Sequence, residues 1–110
     1  MNESVLFLLQ RVTAAILAPL VVLHLIVILY AVEGGLTAAE ILARTRGSTP
    51  FAVVYGLFVL AAAIHAPIGL RGILIEWFGL RGRGLEIAML LLAAILLATG
   101  LRAVRAVTGA

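Results

Sequence analysis

The sequence predicts an all-α integral membrane protein: a bundle of three transmembrane helices with a short interfacial helix between spans 1 and 2. Three observations predict it. The chain is 65% hydrophobic and only 12% charged, against about 45–50% and about 25% in a soluble domain. Its mean hydropathy is +1.26. Gln10, Glu33, Arg46, Arg71, Glu86 and Arg102 bracket apolar runs, each close to or above the ~20 residues that carry a helix across a hydrocarbon core. Spans at about residues 5–32, 51–77 and 85–107 account for nearly the whole sequence. Residues 1–110 therefore read as a single transmembrane domain with no soluble catalytic part.

The first span follows a polar lead in which Ser4 and Glu3 are placed to cap the helix. Its apolar residues have no helical period, as expected of a helix covered on all sides by lipid and protein. Gln10, Arg11 and Thr13 interrupt its start, Pro19 its interior, and His24 follows five residues later. Pro19 frees the carbonyl of Ala15, so a kink is expected there. Gly34-Gly35 ends the span, and Thr37-Ala-Ala-Glu40 has capping-box spacing for a surface helix through Leu42 or Ala43. Arg44-Thr-Arg46-Gly-Ser-Thr-Pro50 reads as a loop, with Pro50 at the first turn of span 2.

Span 2 holds His65-Ala-Pro-Ile-Gly-Leu-Arg71. Ala61, Ala62, Gly69 and Gly72 share a helical stripe with His65. Small residues on an intramembrane face permit close helix packing, and equally a slot for a flat porphyrin with His65 as axial ligand. Trp77 and Phe78 stand where an interfacial aromatic belt belongs. After the turn Gly79-Leu-Arg-Gly-Arg-Gly84, span 3 carries no histidine and a single hydroxyl, Thr99, before Arg102; its expected role is packing.

Ionisable residues inside a span mark functional sites. Two readings fit the histidines: interhelical hydrogen bonds or a proton path, and haem ligation. If Phe7 and Glu76 mark one membrane face, His24 lies about 25 Å from it and His65 about 16 Å, an offset of about 9 Å. One haem clamped by both would need them level. The offset favours two haem sites, with the opposing iron ligands supplied by another chain. Zinc would need four ligands, and no third lies near either histidine. With no cysteine, the chain has no ligand for an iron-sulfur cluster and no C-x-x-C-H attachment for a c-type haem.

All eight basic residues are arginines, against five glutamates, and the pI is about 10.7. The arginines lie at span ends rather than along one polar face, which argues against nucleic-acid binding and for contact with headgroups of the lipid bilayer. With termini on opposite sides, Arg11, Arg71, Arg81 and Arg83 oppose Arg44, Arg46, Arg102 and Arg105. With the charge so balanced, the positive-inside rule favours neither orientation.

The chain resembles the cytochrome b membrane-anchor subunits of succinate dehydrogenase and fumarate reductase, of the two-haem type, over essentially its full length. The segment His65-x-x-x-Gly69-x-Arg71, followed by Glu76, looks like their second-span haem signature, which usually has aspartate at the acidic place. Gln10-Arg11-Val12-Thr13-Ala14 is similar to their first-span His-Arg-x-Ser-Gly motif, with glutamine for histidine and alanine for glycine. His24 matches the first-span histidine of two-haem members in its spacing from that motif, whereas Phe7 stands where a quinone-site serine would be.

The resemblance implies two haem b groups, each shared with another chain. His65 would ligate the iron nearer the iron-sulfur subunit and His24 the iron nearer the far face. Arg11, Arg71, Thr13 and Gln10 become candidates for haem-propionate or quinone contacts. It further implies a second anchor chain, homologous or identical, an iron-sulfur subunit and a flavoprotein. The chain would be a non-catalytic electron-transfer subunit in a bacterial cytoplasmic membrane, with a cytoplasmic N-terminus. The alternative is a haem-free membrane adaptor whose histidines and small residues only pack helices.

Overall fold

The computed structural model describes residues 1–109. The described residues form four helices: α1 (Glu3–Gly34), α2 (Ala38–Thr45), α3 (Thr49–Phe78) and α4 (Arg83–Thr108). Helices α1, α3 and α4 are long and apolar enough to cross a membrane, and α2 lies between the first two spans. The bundle is 47 Å long and 22 Å across, enough to traverse the ~30 Å hydrocarbon core.

Local chemistry sets the helix ends. The Asn2 side-chain oxygen accepts from the Ser4 and Val5 amides at 2.9 and 3.3 Å. Asn2 is thus the cap of α1, where Ser4 and Glu3 were expected. An amide carbonyl satisfies the orphan donors of the first turn, leaving the Glu3 carboxylate for another partner. Both α1 and α3 run unbroken through Pro19 and Pro67. Helix α1 stops at Gly35, whose φ of 111° is unsuited to other residues. A Cβ there would fall on the Glu40 carboxylate.

Thr37 caps α2 through the Glu40 amide, at 3.2 Å, and donates its hydroxyl to the Glu40 carboxylate at 2.7 Å. The helix continues to Thr45, so Arg44 and Thr45 are helical rather than part of a loop. The extension follows from side-chain bonds that hold its last turn. Arg44 donates to the Gly35 carbonyl at 2.7 Å, and Thr45 donates to the Val107 carbonyl at 2.6 Å. With the Gly47 amide bonding the Thr108 carbonyl at 2.9 Å, α2 and its following turn satisfy carbonyls that the end of α4 leaves open. Ser48 then caps α3, which opens at Thr49 with Pro50 in its first turn, so the expected loop ends at Ser48 because that side chain accepts the Phe51 amide. Gly79, in the left-handed region at φ 65°, ends it.

Helix α3 is central, packed by α1 and by α4, while α2 rests on α4. Gly100 of α4 lies so close to α3 that a Cβ would be 2.5 Å from a Val59 methyl. Among the described residues, buried apolar side chains are few: Ala61, Ala63, Pro67 and Met89. Phe7, Val22, Leu29 and Leu91 point outward, which in a soluble protein would be unfavourable and in a bilayer is the required arrangement.

Candidate functional site

The polar groups of the bundle collect where α1, α3 and α4 meet near the N-terminal face. His65 is half-buried on α3, and its Nδ1 lies 3.0 Å from the hydroxyl oxygen of Thr13 on α1. Thr13 is only 4% exposed. Its hydroxyl also lies 2.7 Å from the Leu9 carbonyl and 3.2 Å from that of Gln10. Among the described residues no partner meets Nε2 of His65. The interhelical hydrogen bond expected of a membrane histidine is therefore present, and it leaves the other ring nitrogen open.

Arg71 lies six residues further along α3 and is 8% exposed. Its NH2 and NH1 groups donate to the two Glu3 oxygens at 2.6 and 3.2 Å, and its Nε donates to Glu86 Oε1 at 2.7 Å. The forked guanidinium suits this bidentate pairing. Each of its three nitrogens is thus engaged within the chain. Span 3, expected only to pack, supplies one of these carboxylates. Neither Glu3 nor Glu86 stands out by motif; the signal was that both lie within a turn of a span end on the face that Arg71 occupies.

Gly69 and Gly72 line a groove of about 350 Å³ between α1 and α3, together with Phe7, Gln10, Ile73 and Glu76. A Cβ on Gly69 would come 3.2 Å from the Gln10 amide nitrogen, while one on Gly72 would meet nothing within 4 Å. The Gln10 Oε1 atom is buried and has no hydrogen-bond partner among the described residues. Such an atom is costly unless a further group donates to it. The stripe is divided along its length: Ala61 is buried and Ala62 half-buried, while the two glycines open onto the groove. Arg11 is exposed on α1, its guanidinium carbon 5.7 Å from the centre of the Phe7 ring, a cation–π distance.

His24 is on the exposed side of α1, against Tyr55 and Phe58 of α3 at ring-centre distances of 5.8 and 5.3 Å. It lines a cavity of about 640 Å³ with Tyr30, Arg44 and Phe51 near the opposite face. His24 lies eleven residues beyond Thr13 on α1, and Thr13 meets His65. The two imidazoles therefore differ in depth by about 16 Å at the helical rise, rather than about 9 Å. The difference is one of register. Glu3 meets Arg71 and Thr13 meets His65, so Phe7 is level with the neighbourhood of Arg71, not with Glu76.

Three membrane-spanning helices with an imidazole, an arginine and two carboxylates gathered between them define a multi-pass membrane subunit with an intramembrane polar site. The chain belongs to the succinate dehydrogenase/fumarate reductase transmembrane subunit family, whose model matches residues 2–101. It is thus a membrane subunit of that class of complex. No curated protein and no solved structure was found to match it.

Proposed function

We propose that the chain is a haem b-binding anchor that passes electrons between an iron-sulfur and flavoprotein pair, acting on succinate or fumarate, and membrane quinone. The observation that carries this reading is His65: an imidazole inside a span, with Nδ1 engaged by Thr13 and Nε2 without a partner among the described residues. A ligating histidine characteristically has its second nitrogen hydrogen-bonded, which fixes the ring for the metal. The donor set fits a haem iron, which takes one imidazole from each side.

His65 and His24 each provide one ligand to a separate haem b, and a second anchor chain, homologous or identical, provides the opposing ones. The depth difference of about 16 Å supports two sites. When bound, each haem supplies a one-electron carrier. The chain holds the imidazoles, limits water with the apolar faces of α1 and α3, and sets the local charge. Arg71 is already paired with Glu3 and Glu86, and it acts by holding the three spans in register. Arg11, which has no ion pair among the described residues, is the arginine left for a propionate or a quinone. Gln10 lines the groove, and its buried Oε1 acceptor needs a donor; a quinol hydroxyl has that chemistry. The N-terminal face with Glu3 and Arg71 is the one that meets the iron-sulfur subunit, on the cytoplasmic side of a bacterial inner membrane.

The test is haem content of the purified membrane complex. Replacing His65→Ala removes about half the haem and leaves the His24 share. Full retention of haem in that variant refutes the ligand assignment. A wild-type complex colourless in the Soret region makes the chain a haem-free adaptor instead.

A further inference from the structure

We infer that Thr13 is a positioning residue for His65: its hydroxyl fixes which ring nitrogen carries the proton and thereby turns Nε2 outward as a lone-pair donor. The whereabouts of two protons decide this. A hydroxyl has one hydrogen and two lone pairs. Thr13 Oγ1 lies 2.7 Å from the Leu9 carbonyl oxygen, a distance typical of O–H···O bonds. A carbonyl has no proton to give, so the Thr13 hydrogen is on that line. The other acceptor within reach, the Gln10 carbonyl at 3.2 Å, belongs to the same helix backbone and also has no proton.

The hydroxyl oxygen therefore faces Nδ1 of His65, 3.0 Å away, with lone pairs only. A hydrogen bond there requires the proton on the ring: Nδ1 donates to Thr13, and Nε2 is left unprotonated. Thr13 is 4% exposed, so water is excluded from substituting for it. The bond also links α1 to α3, which ties the orientation of the ring to the packing of the two spans. A neutral hydroxyl is a weaker acceptor than a carboxylate, so it gives the imidazole limited added donor strength. Thr13 thus sets the electron-donating power of His65, in place of the propionate or quinone contact its motif suggested.

The redox half of this inference rests on His65 as a haem ligand, whereas the tautomer stands on the chain alone. The experiment has both arms. In the full chain in lipid bilayers, ¹⁵N shifts of labelled histidine, assigned with a His65→Gln sample, report protonated Nδ1 and unprotonated Nε2. In Thr13→Val the preference for that tautomer falls about fivefold, the weight of one ordinary hydrogen bond, and Thr13→Ser restores it. In the holo complex, Thr13→Val raises the midpoint potential of the His65 haem, because a less electron-rich imidazole favours the ferrous state, and Thr13→Ser returns it. A protonated Nε2 in the wild type overturns the inference, as does a valine variant unchanged in ring-nitrogen shifts. A complex without haem would overturn the haem assignment, and the ring-nitrogen populations would still decide the role of Thr13.

Discussion

Replacing Arg71→Gln removes the one positive charge that α1, α3 and α4 share. The size of the effect follows from the exposures of the partners. Arg71 is 8% exposed and the Glu86 side chain 21%, whereas the Glu3 side chain is 72% exposed. The Glu3 arm is screened, and exposed pairs contribute little. The Glu86 arm is different. Its Oε2 has no hydrogen-bond partner among the described residues and only the N-terminal ammonium at 4.0 Å, so the glutamine variant leaves a largely buried carboxylate with that one long ion pair. Breaking one side of a buried pair costs about 3–5 kcal/mol, and the partial exposure of Glu86 places the effect at about 3 kcal/mol, the lower end of that range. That is roughly a hundredfold in a folding equilibrium. Arg71→Lys keeps the charge but loses the fork, so it retains one arm and is intermediate. Glu3→Gln is close to neutral. Thermal unfolding of the purified complex should rank the variants in that order. If Glu3→Gln is as damaging as Arg71→Gln, or Arg71→Gln is silent, the three-helix charge lock is wrong.

Gly100→Ala should loosen the contact between α3 and α4, since its Cβ would lie 2.5 Å from a Val59 methyl and the branched valine has little freedom to turn away. A loss of about 1–3 kcal/mol is expected in unfolding measurements, against a small gain for Gly56→Ala, which has no neighbour within 4 Å. Thr45→Val removes the 2.6 Å bond to the Val107 carbonyl. It should destabilise the end of α4 by about 1 kcal/mol, read as faster amide exchange near residues 104–108 with no change at His65.

The three spans were legible because bilayer thickness turns hydropathy into length. Their observed bounds lie within two residues of the expected ones. The capping box at Thr37 was also legible, since it depends on residues three apart. What the sequence could not carry was register between helices that are distant along the chain. Thr13 reaches His65 across 52 positions and Arg71 reaches Glu3 across 68. No local pattern specifies which turn faces which. For the same reason the depth difference was underestimated, and Glu86 read as a span boundary rather than as a partner of Arg71. The cap at Asn2 was missed because Ser4 is an equally good capping residue, and only the path of the chain decides between them. His65 itself was visible at once, because an imidazole in an apolar run needs a reason.

The most direct test is a pyridine haemochrome assay on the purified wild-type membrane complex. Two haem b per complex, assembled with one ligand from each histidine of this chain, is the expected result. A complex that assembles and carries no haem would contradict the assignment of His65 and His24 as iron ligands.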